Sequence, residues 1–284
     1  MRTRRDADES DLFDVRVLAL LDRECAAIAC FMDRLFVGTS GWIYKSWGGS
    51  FYPSGSGRVD RLEFYADHFR SVEINASFYR LQNPEVVRGW YRRSPPGFRF
   101  AVKGSRFITH MKRLAVEPQS IKVFFDRARL LREKCGPILW QLPPTMRFDP
   151  ERLDRFLASV PRRFRHAVEF RHPSWYESDE TFALLAKHRA AHVWLSSLAM
   201  PENTTRTTDF VYLRFHGLAG GAAHDYTKAE LRPWAELCRQ AVSSDIDVHA
   251  YFNNDANTRA PLNARVFRDM VESGQVAVRR RRTA

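Results

Sequence analysis

Cysteine is scarce in this chain: four residues in 284, Cys25, Cys30, Cys135 and Cys238, with no C-x-x-C pair among them. A chain with this much core needs no disulfide scaffold, and the four are expected to be reduced thiols. Long apolar runs are lacking too. No uncharged apolar stretch reaches the length of about eighteen residues that a membrane-spanning helix needs. The partly apolar segment Val15 to Met32 follows Arg4 and Arg5, but Asp22, Arg23 and Glu24 interrupt it. A secretory signal core tolerates no such cluster, so the protein is expected in the cytoplasm, with no membrane partner. Two catalytic signatures are missing as well. No G-x-G-x-x-G follows a strand-like run, which removes the dinucleotide fingerprint, and no G-x-S-x-G elbow supports serine-based acyl transfer.

What is present is apolar material for one large core, at 44% hydrophobic and 13% aromatic residues. From residue 35 onward, short strand-like runs alternate with helical stretches. The runs are Leu35 to Gly38, Ser71 to Phe78, Phe98 to Lys103, Pro137 to Leu142, His166 to Arg171, His192 to Ser196, Phe210 to His216 and Asp247 to Asn253. Between them, Val59, Leu62, Ala66 and Phe69 share one face of a helix over Arg58 to Arg70. Pro84 suits the first turn of another helix, Ser178 can cap one that ends at His188, and Thr227 with Glu230 forms a capping box. Nothing between Ser196 and Asp209 has helical period, so one outer helix is expected to be shortened or missing.

Eight strands alternating with helices predict an α/β protein with a parallel sheet closed into a (β/α)8 TIM-type barrel; an open doubly wound sheet is the alternative. Residues 35–275 are expected to form this single domain. Residues 1–34 are read as an extension outside it, and residues 276–284 as a basic tail.

Several predicted strands begin apolar and finish polar. Residues two apart share a face, so Glu73 points with Asn75, Glu169 with Arg171, Arg214 with His216 and Tyr251 with Asn253. Their neighbours Val72, Ile74, Val168, Phe170, Leu213, Phe215 and Phe252 then face the helices, and the polar set faces the lumen. Functional groups of such barrels lie at the C-terminal strand ends. Glu73 and Glu169 are the candidate general acid and base. Lys103, Arg171 and Arg214 outnumber those carboxylates, so a small anionic substrate bearing phosphate or carboxylate is expected. Asn75, Gln141, His216, Tyr251, Asn253, Asn254 and Trp42 complete the predicted substrate site. The competing structural reading is that Glu169 with Arg171, and Glu73 with Arg214, merely neutralise each other inside the barrel.

No cofactor is predicted. A divalent metal would have to draw on Glu73, Glu169, His216 and Asp255, beside three cations that disfavour it. The formal net charge of +12 motivates a second reading, a nucleic-acid-binding or nucleic-acid-processing barrel, although the charge is spread along the chain and concentrated only at Arg279 to Arg282. A non-catalytic ligand-binding barrel is the third.

Many of these segments resemble the YecE-like proteins, a family of uncharacterised domains. The blocks are Gly38-Thr-Ser-Gly-Trp42 with Tyr44, Trp47 and Phe51-Tyr-Pro53; Ser71-Val-Glu-Ile-Asn75 with Ser77-Phe-Tyr79; and Lys103 with Ile108-Thr-His110. Further blocks are Gly136-Pro-Ile-Leu139, Gln141-Leu-Pro-Pro144, Ala167-Val-Glu-Phe-Arg171 with Ser174-Trp175, Arg214-Phe-His-Gly217, and Tyr251-Phe-Asn-Asn-Asp255 with Asn263-Ala264. The resemblance spans roughly Leu35 to Met270, with Ser77 and Phe215 standing where Thr and Leu are the family's pattern. It implies a TIM-type barrel and no particular reaction.

Overall fold

Each of the eight predicted runs becomes a parallel strand in the computed structural model, which describes residues 31–55 and 60–282. They are β1 Leu35–Thr39, β2 Ser71–Ile74, β3 Arg99–Lys103, β4 Cys135–Gln141, β5 His166–Glu169, β6 Ala190–Ser197, β7 Phe210–Gly217 and β8 Asp247–Phe252. Strand order follows chain order around the sheet, with β1 paired to β8 and β2 left at the other end. That order is a barrel's and rules out the doubly wound alternative.

Several outer helices begin where the sequence supplies caps. They are α1 Arg61–His68, α2 Pro84–Arg93, α3 Pro118–Ala128, α4 Pro150–Ser159, α5 Glu180–Lys187, α6 Lys228–Ser243 and α7 Arg259–Arg282. Proline opens α2, α3 and α4, where a missing N–H costs nothing. Thr227 and Glu230 form the expected capping box of α6. Between β6 and β7 no helix forms, as the absent periodicity predicts. Residues 198–209 instead make an extended strap, whose Thr207 hydroxyl donates to the Ala190 carbonyl and accepts from the His192 N–H.

Several boundaries differ from expectation, and three of them bear on the site or the tail. β2 stops at Ile74 because the chain turns into a single helical turn, Ala76–Tyr79, where the Ser77 hydroxyl donates to the Ile74 carbonyl at 3.0 Å. β5 stops at Glu169, where the last ladder bond runs from the Leu142 N–H to the Glu169 carbonyl. The arginine-rich tail expected from residue 276 is continuous with α7. The predicted extension lies outside the described residues up to residue 30, whereas Phe31 is buried in the core with Met32 packed against it.

Alternation works as the sequence predicts. Phe215 and Phe252 stack at 4.1 Å and meet Phe267 of α7 outside the sheet. Inside, Ala101, Leu139, Ala167, Ala191, Val193, Leu195, Phe210, Tyr212 and Tyr251 form a separate buried cluster.

The barrel closes at a seam between β1 and β2 that has no continuous ladder, only one isolated bridge between Ser40 and Glu73. Tyr65 of α1 fills the gap: its hydroxyl accepts from the Thr39 N–H at 2.9 Å and donates to the Ser71 carbonyl at 3.1 Å. Gly38 permits this approach, since a Cβ there would lie 2.0 Å from the Ser71 carbonyl oxygen. Gly38→Ala is therefore expected to lower stability by about 2–3 kcal/mol, read by chemical denaturation; an unchanged midpoint would reject the seam as a tight contact.

Four buried histidines set the pH response. Burial pushes His166, His192 and His216 from 6.5 down to about 4, and His249 well below its ordinary value. The folded chain therefore refuses protons that the unfolded chain binds between pH 6.5 and about 4. Stability is expected to decline through that window as pH falls, by on the order of 3 kcal/mol for each of His166, His192 and His216. His192→Phe, among the rings of Phe170 and Phe182, should flatten the decline in pH-dependent urea titrations.

Candidate functional site

At the C-terminal end of the lumen, Arg214 of β7 stands fully buried between two equally buried carboxylates. One end of its guanidinium, Nη2, lies 2.7 Å from Glu73 Oε1 of β2, and the other, Nη1, lies 2.6 Å from Glu169 Oε2 of β5. Each carboxylate has further donors. Glu73 accepts from the Ser40 hydroxyl at 2.8 Å and the Tyr212 hydroxyl at 2.7 Å. Glu169 accepts from Gln141 Nε2 at 2.7 Å and from Arg171 Nε, with His216 Nε2 at 3.4 Å. The two competing pairs of the sequence reading are thus one continuous Glu73–Arg214–Glu169–Arg171 chain.

Burial alone would raise Glu169, but Arg171 and Arg214 outweigh it and hold the carboxyl well below the usual carboxylate range. Glu169 is ionised throughout the physiological range. Burial depresses His216 to about 4, so its imidazole is neutral and accepts from Arg171 Nη2 at 3.1 Å. Asn253 Nδ2 lies 3.2 Å from His216 Nδ1, and Asn75 Nδ2 donates to the Ser40 carbonyl at 3.1 Å.

Two groups at this end titrate nearer neutrality. Lys103 of β3, only partly exposed, lies with its ammonium 4.3 Å from the centre of the Phe78 ring. Burial and the neighbouring Arg214 lower it to about 8, with Glu73 and Glu169 pulling the other way. Among the described residues it has no carboxylate within ion-pair distance. Asp255, just past β8, is raised by burial to about 6, partly offset by the 2.6 Å hydrogen bond from Trp47 Nε1. Its charge and that of Glu73 both act on Tyr44, whose hydroxyl donates to the Ser40 carbonyl at 2.5 Å.

The structure brings together Glu73, Asn75, Lys103, Gln141, Glu169, Arg171, Arg214, His216 and Asn253. Three predicted residues lie elsewhere. Trp42 packs edge-on against Trp90 and Phe100 between sheet and helices, because it follows β1 in a loop folded outward. Tyr251 is wholly buried below the mouth, its hydroxyl bonded to Ser71 at 2.7 Å. Asn254 turns away from the lumen and donates to the His224 carbonyl and to Asn263, each at 2.8 Å, since it lies one residue from Asn253 and so on the opposite face.

Ser40, Tyr212 and His110 were not predicted. Ser40 appears in the sequence only inside the Gly38-Thr-Ser-Gly-Trp42 block, and Tyr212 gives no motif, although it lies two residues from Arg214 and thus shares its face. His110 was visible only as part of a block; its ring contacts Phe78 at 5.0 Å, and burial with Lys103 and Arg106 nearby lowers its pKa. Among the described residues no group of three or more His, Cys, Asp or Glu is placed to hold a metal ion. The H-x-x-x-H spacing of His188 and His192 makes no pair. His188 bonds Asp154 at 2.6 Å, while His192 stacks on Phe170 from β6.

Comparison with known proteins agrees with the architecture. Residues 36–284 match the family described as protein of unknown function DUF72. The UPF0759 protein YunF of Bacillus subtilis is 24% identical over 270 residues, covering 84% of this chain and 95% of that protein. The UPF0759 protein YecE of Escherichia coli is 33% identical over 149 residues, 51% of this chain and only 52% of YecE's own length. Among solved structures, a DUF72 family protein from Thermotoga maritima superposes with a TM-score of 0.73 at 28% identity, covering 84% of this chain and 99% of the other. One from Enterococcus faecalis gives 0.71 at 20% identity, covering 84% and 95%, a likeness of fold. With a match reaching from β1 to the end of α7 and the same barrel in its relatives, the chain belongs to the DUF72 family, the YecE-like proteins.

Proposed function

We propose that this barrel is an enzyme using acid–base chemistry, of a hydrolytic kind, on a small substrate that bears phosphate or carboxylate. The observation that carries the reading is Lys103. In a mouth where Glu73, Arg214, Glu169 and Arg171 satisfy one another, its ammonium is the charge left without a counter-ion among the described residues. A desolvated cation without a partner is costly, and a substrate anion offsets that cost.

The two carboxylates first considered as acid and base have different work in this reading. Glu73 and Glu169 hold the buried guanidinium of Arg214 between them, and Glu169 also fixes that of the partly exposed Arg171, which faces the substrate's charge. Proton transfer falls to groups that titrate near neutrality: Asp255, at about 6, as base, and Lys103, at about 8, as anion clamp and acid. Exposed Ile43, Tyr79, Phe107, Met111 and Leu198 all lie in the loops and short helical turns that follow the C-terminal ends of strands. Such a rim suits a substrate with an apolar or aromatic body beside its anion.

Binding and turnover test this separately. Inorganic phosphate, titrated calorimetrically, is expected to bind while Lys103 is protonated and to weaken about tenfold as pH rises one unit above its pKa. Lys103→Met should remove this pH-dependent binding with little change in stability; the same pH-dependent binding in the variant would overturn the reading. Arg214→Met, by contrast, strands two buried carboxylates and should cost about 3–5 kcal/mol in urea denaturation. In a panel of phosphate and carboxylate esters, kcat/KM is expected to be bell-shaped between about 6 and about 8 and to be lost in Asp255→Asn. Phosphate binding without turnover of any ester, unaffected by Glu73→Gln and Glu169→Gln, would make the barrel a non-catalytic binder.

A further inference from the structure

The opposite, N-terminal end of the barrel is built mainly for stability in folds of this kind, yet here it holds a charged cavity of about 610 Å³. Five arginines, Arg99, Arg129, Arg132, Arg163 and Arg165, line it against two aspartates, Asp33 and Asp247. The aspartates are already engaged. Asp247 takes Arg34 at 3.2 Å and Arg165 at 2.5 Å, and Asp33 takes Arg70 at 2.7 Å. Arg129 has its own partner in Asp126 at 3.2 Å.

Arg99, Arg132 and Arg163 have no carboxylate partner among the described residues. Their guanidiniums lie over aromatic faces instead: Arg99 at 5.7 Å from the Phe36 ring, Arg132 at 5.2 Å from Tyr91 and Arg163 at 5.2 Å from Phe164. A ring holds a guanidinium in place without neutralising it, and it leaves the N–H edges free for oxygen acceptors. Two more observations mark the same place. His249, two residues beyond Asp247 on the same face of β8, stacks on Phe36 at 4.7 Å and is 2% exposed, and its Nε2 has no hydrogen-bond partner among the described residues. Arg132 holds φ 51°, ψ −128°, a backbone conformation that a residue with a side chain adopts only under strain.

We propose that this cavity binds a compact phosphate polyanion of the diphosphate or triphosphate type, independently of the site at the other end of the barrel. Three uncompensated guanidiniums around one opening repel each other and gain only when an anion joins them. Their planar forks match phosphate oxygens, and a polyanion of two or three phosphates spans several of them at once. The orphaned Nε2 offers one more polar contact beside the Phe36 ring.

Pyrophosphate, titrated into the full chain at low salt by calorimetry with ³¹P NMR in parallel, tests the assignment. In the Lys103→Met background, which removes the anion clamp at the other end, it is expected to bind, to weaken about tenfold or more when Arg99→Gln or Arg163→Gln is added, and to be unchanged when Arg155→Gln is added, a surface arginine paired with Glu151. Arg163 is exposed, so its variant keeps the test valid if Arg99→Gln folds poorly. Pyrophosphate affinity lost in Lys103→Met but intact in both arginine variants would place the anion at the opposite end and overturn the proposal. So would citrate binding as tightly as pyrophosphate, or no heat and no shift up to about 1 mM ligand.

Discussion

Everything at the mouth of this barrel depends on one guanidinium. Arg214 is buried without any exposure, and both its terminal nitrogens are spent on carboxylates from β2 and β5. A buried ion pair returns its desolvation cost only when geometry is good and the remaining lone pairs are filled. Here they are filled. Ser40 and Tyr212 complete Glu73, and Gln141 and Arg171 complete Glu169, so residues on or just past five strands converge on a single charge balance. Fixing Arg214 in this way ties the far walls of the lumen together and leaves the surplus positive charge to Lys103.

Much of the fold was legible because its signals are local and mutually consistent. Period-two runs, proline and Thr227 at helix starts, and the lack of period between Ser196 and Asp209 all act within a few residues. The boundary at Ile74 was not legible. Val-Glu-Ile-Asn-Ala-Ser-Phe continues an alternating pattern past the strand's end, and only the hydroxyl of Ser77 turns it. The start of the packed core at Phe31 also escaped, since one apolar residue in a mixed segment has no period to read.

For the site, alternation placed Glu73, Glu169, Arg171, Arg214 and His216 toward the lumen from three separate strands. It failed at loop residues, where no period exists. Trp42 and Asn254 leave the lumen because the chain has already bent away from the strand direction. Composition could not show which charges pair either. The count of three cations and two carboxylates was available from sequence, but not that Arg214 would take both carboxylates and leave Lys103 beside Phe78. Asp255 needed burial to become a carboxyl that titrates near 6, and burial is a property of the assembled loops.

The β1–β2 seam has a bearing on this network. Every other pair of adjacent strands is joined by a ladder, whereas this junction relies on Tyr65, Gly38 and the single Ser40 bridge. Ser40 is also a ligand of Glu73, so the lock of the barrel and the anchor of its charge network are one residue. A molecule that draws Glu73 or Ser40 toward itself therefore pulls on the stave where the cask is thinnest. The barrel's circumference can respond there first, through side chains, before any ladder of backbone hydrogen bonds has to break.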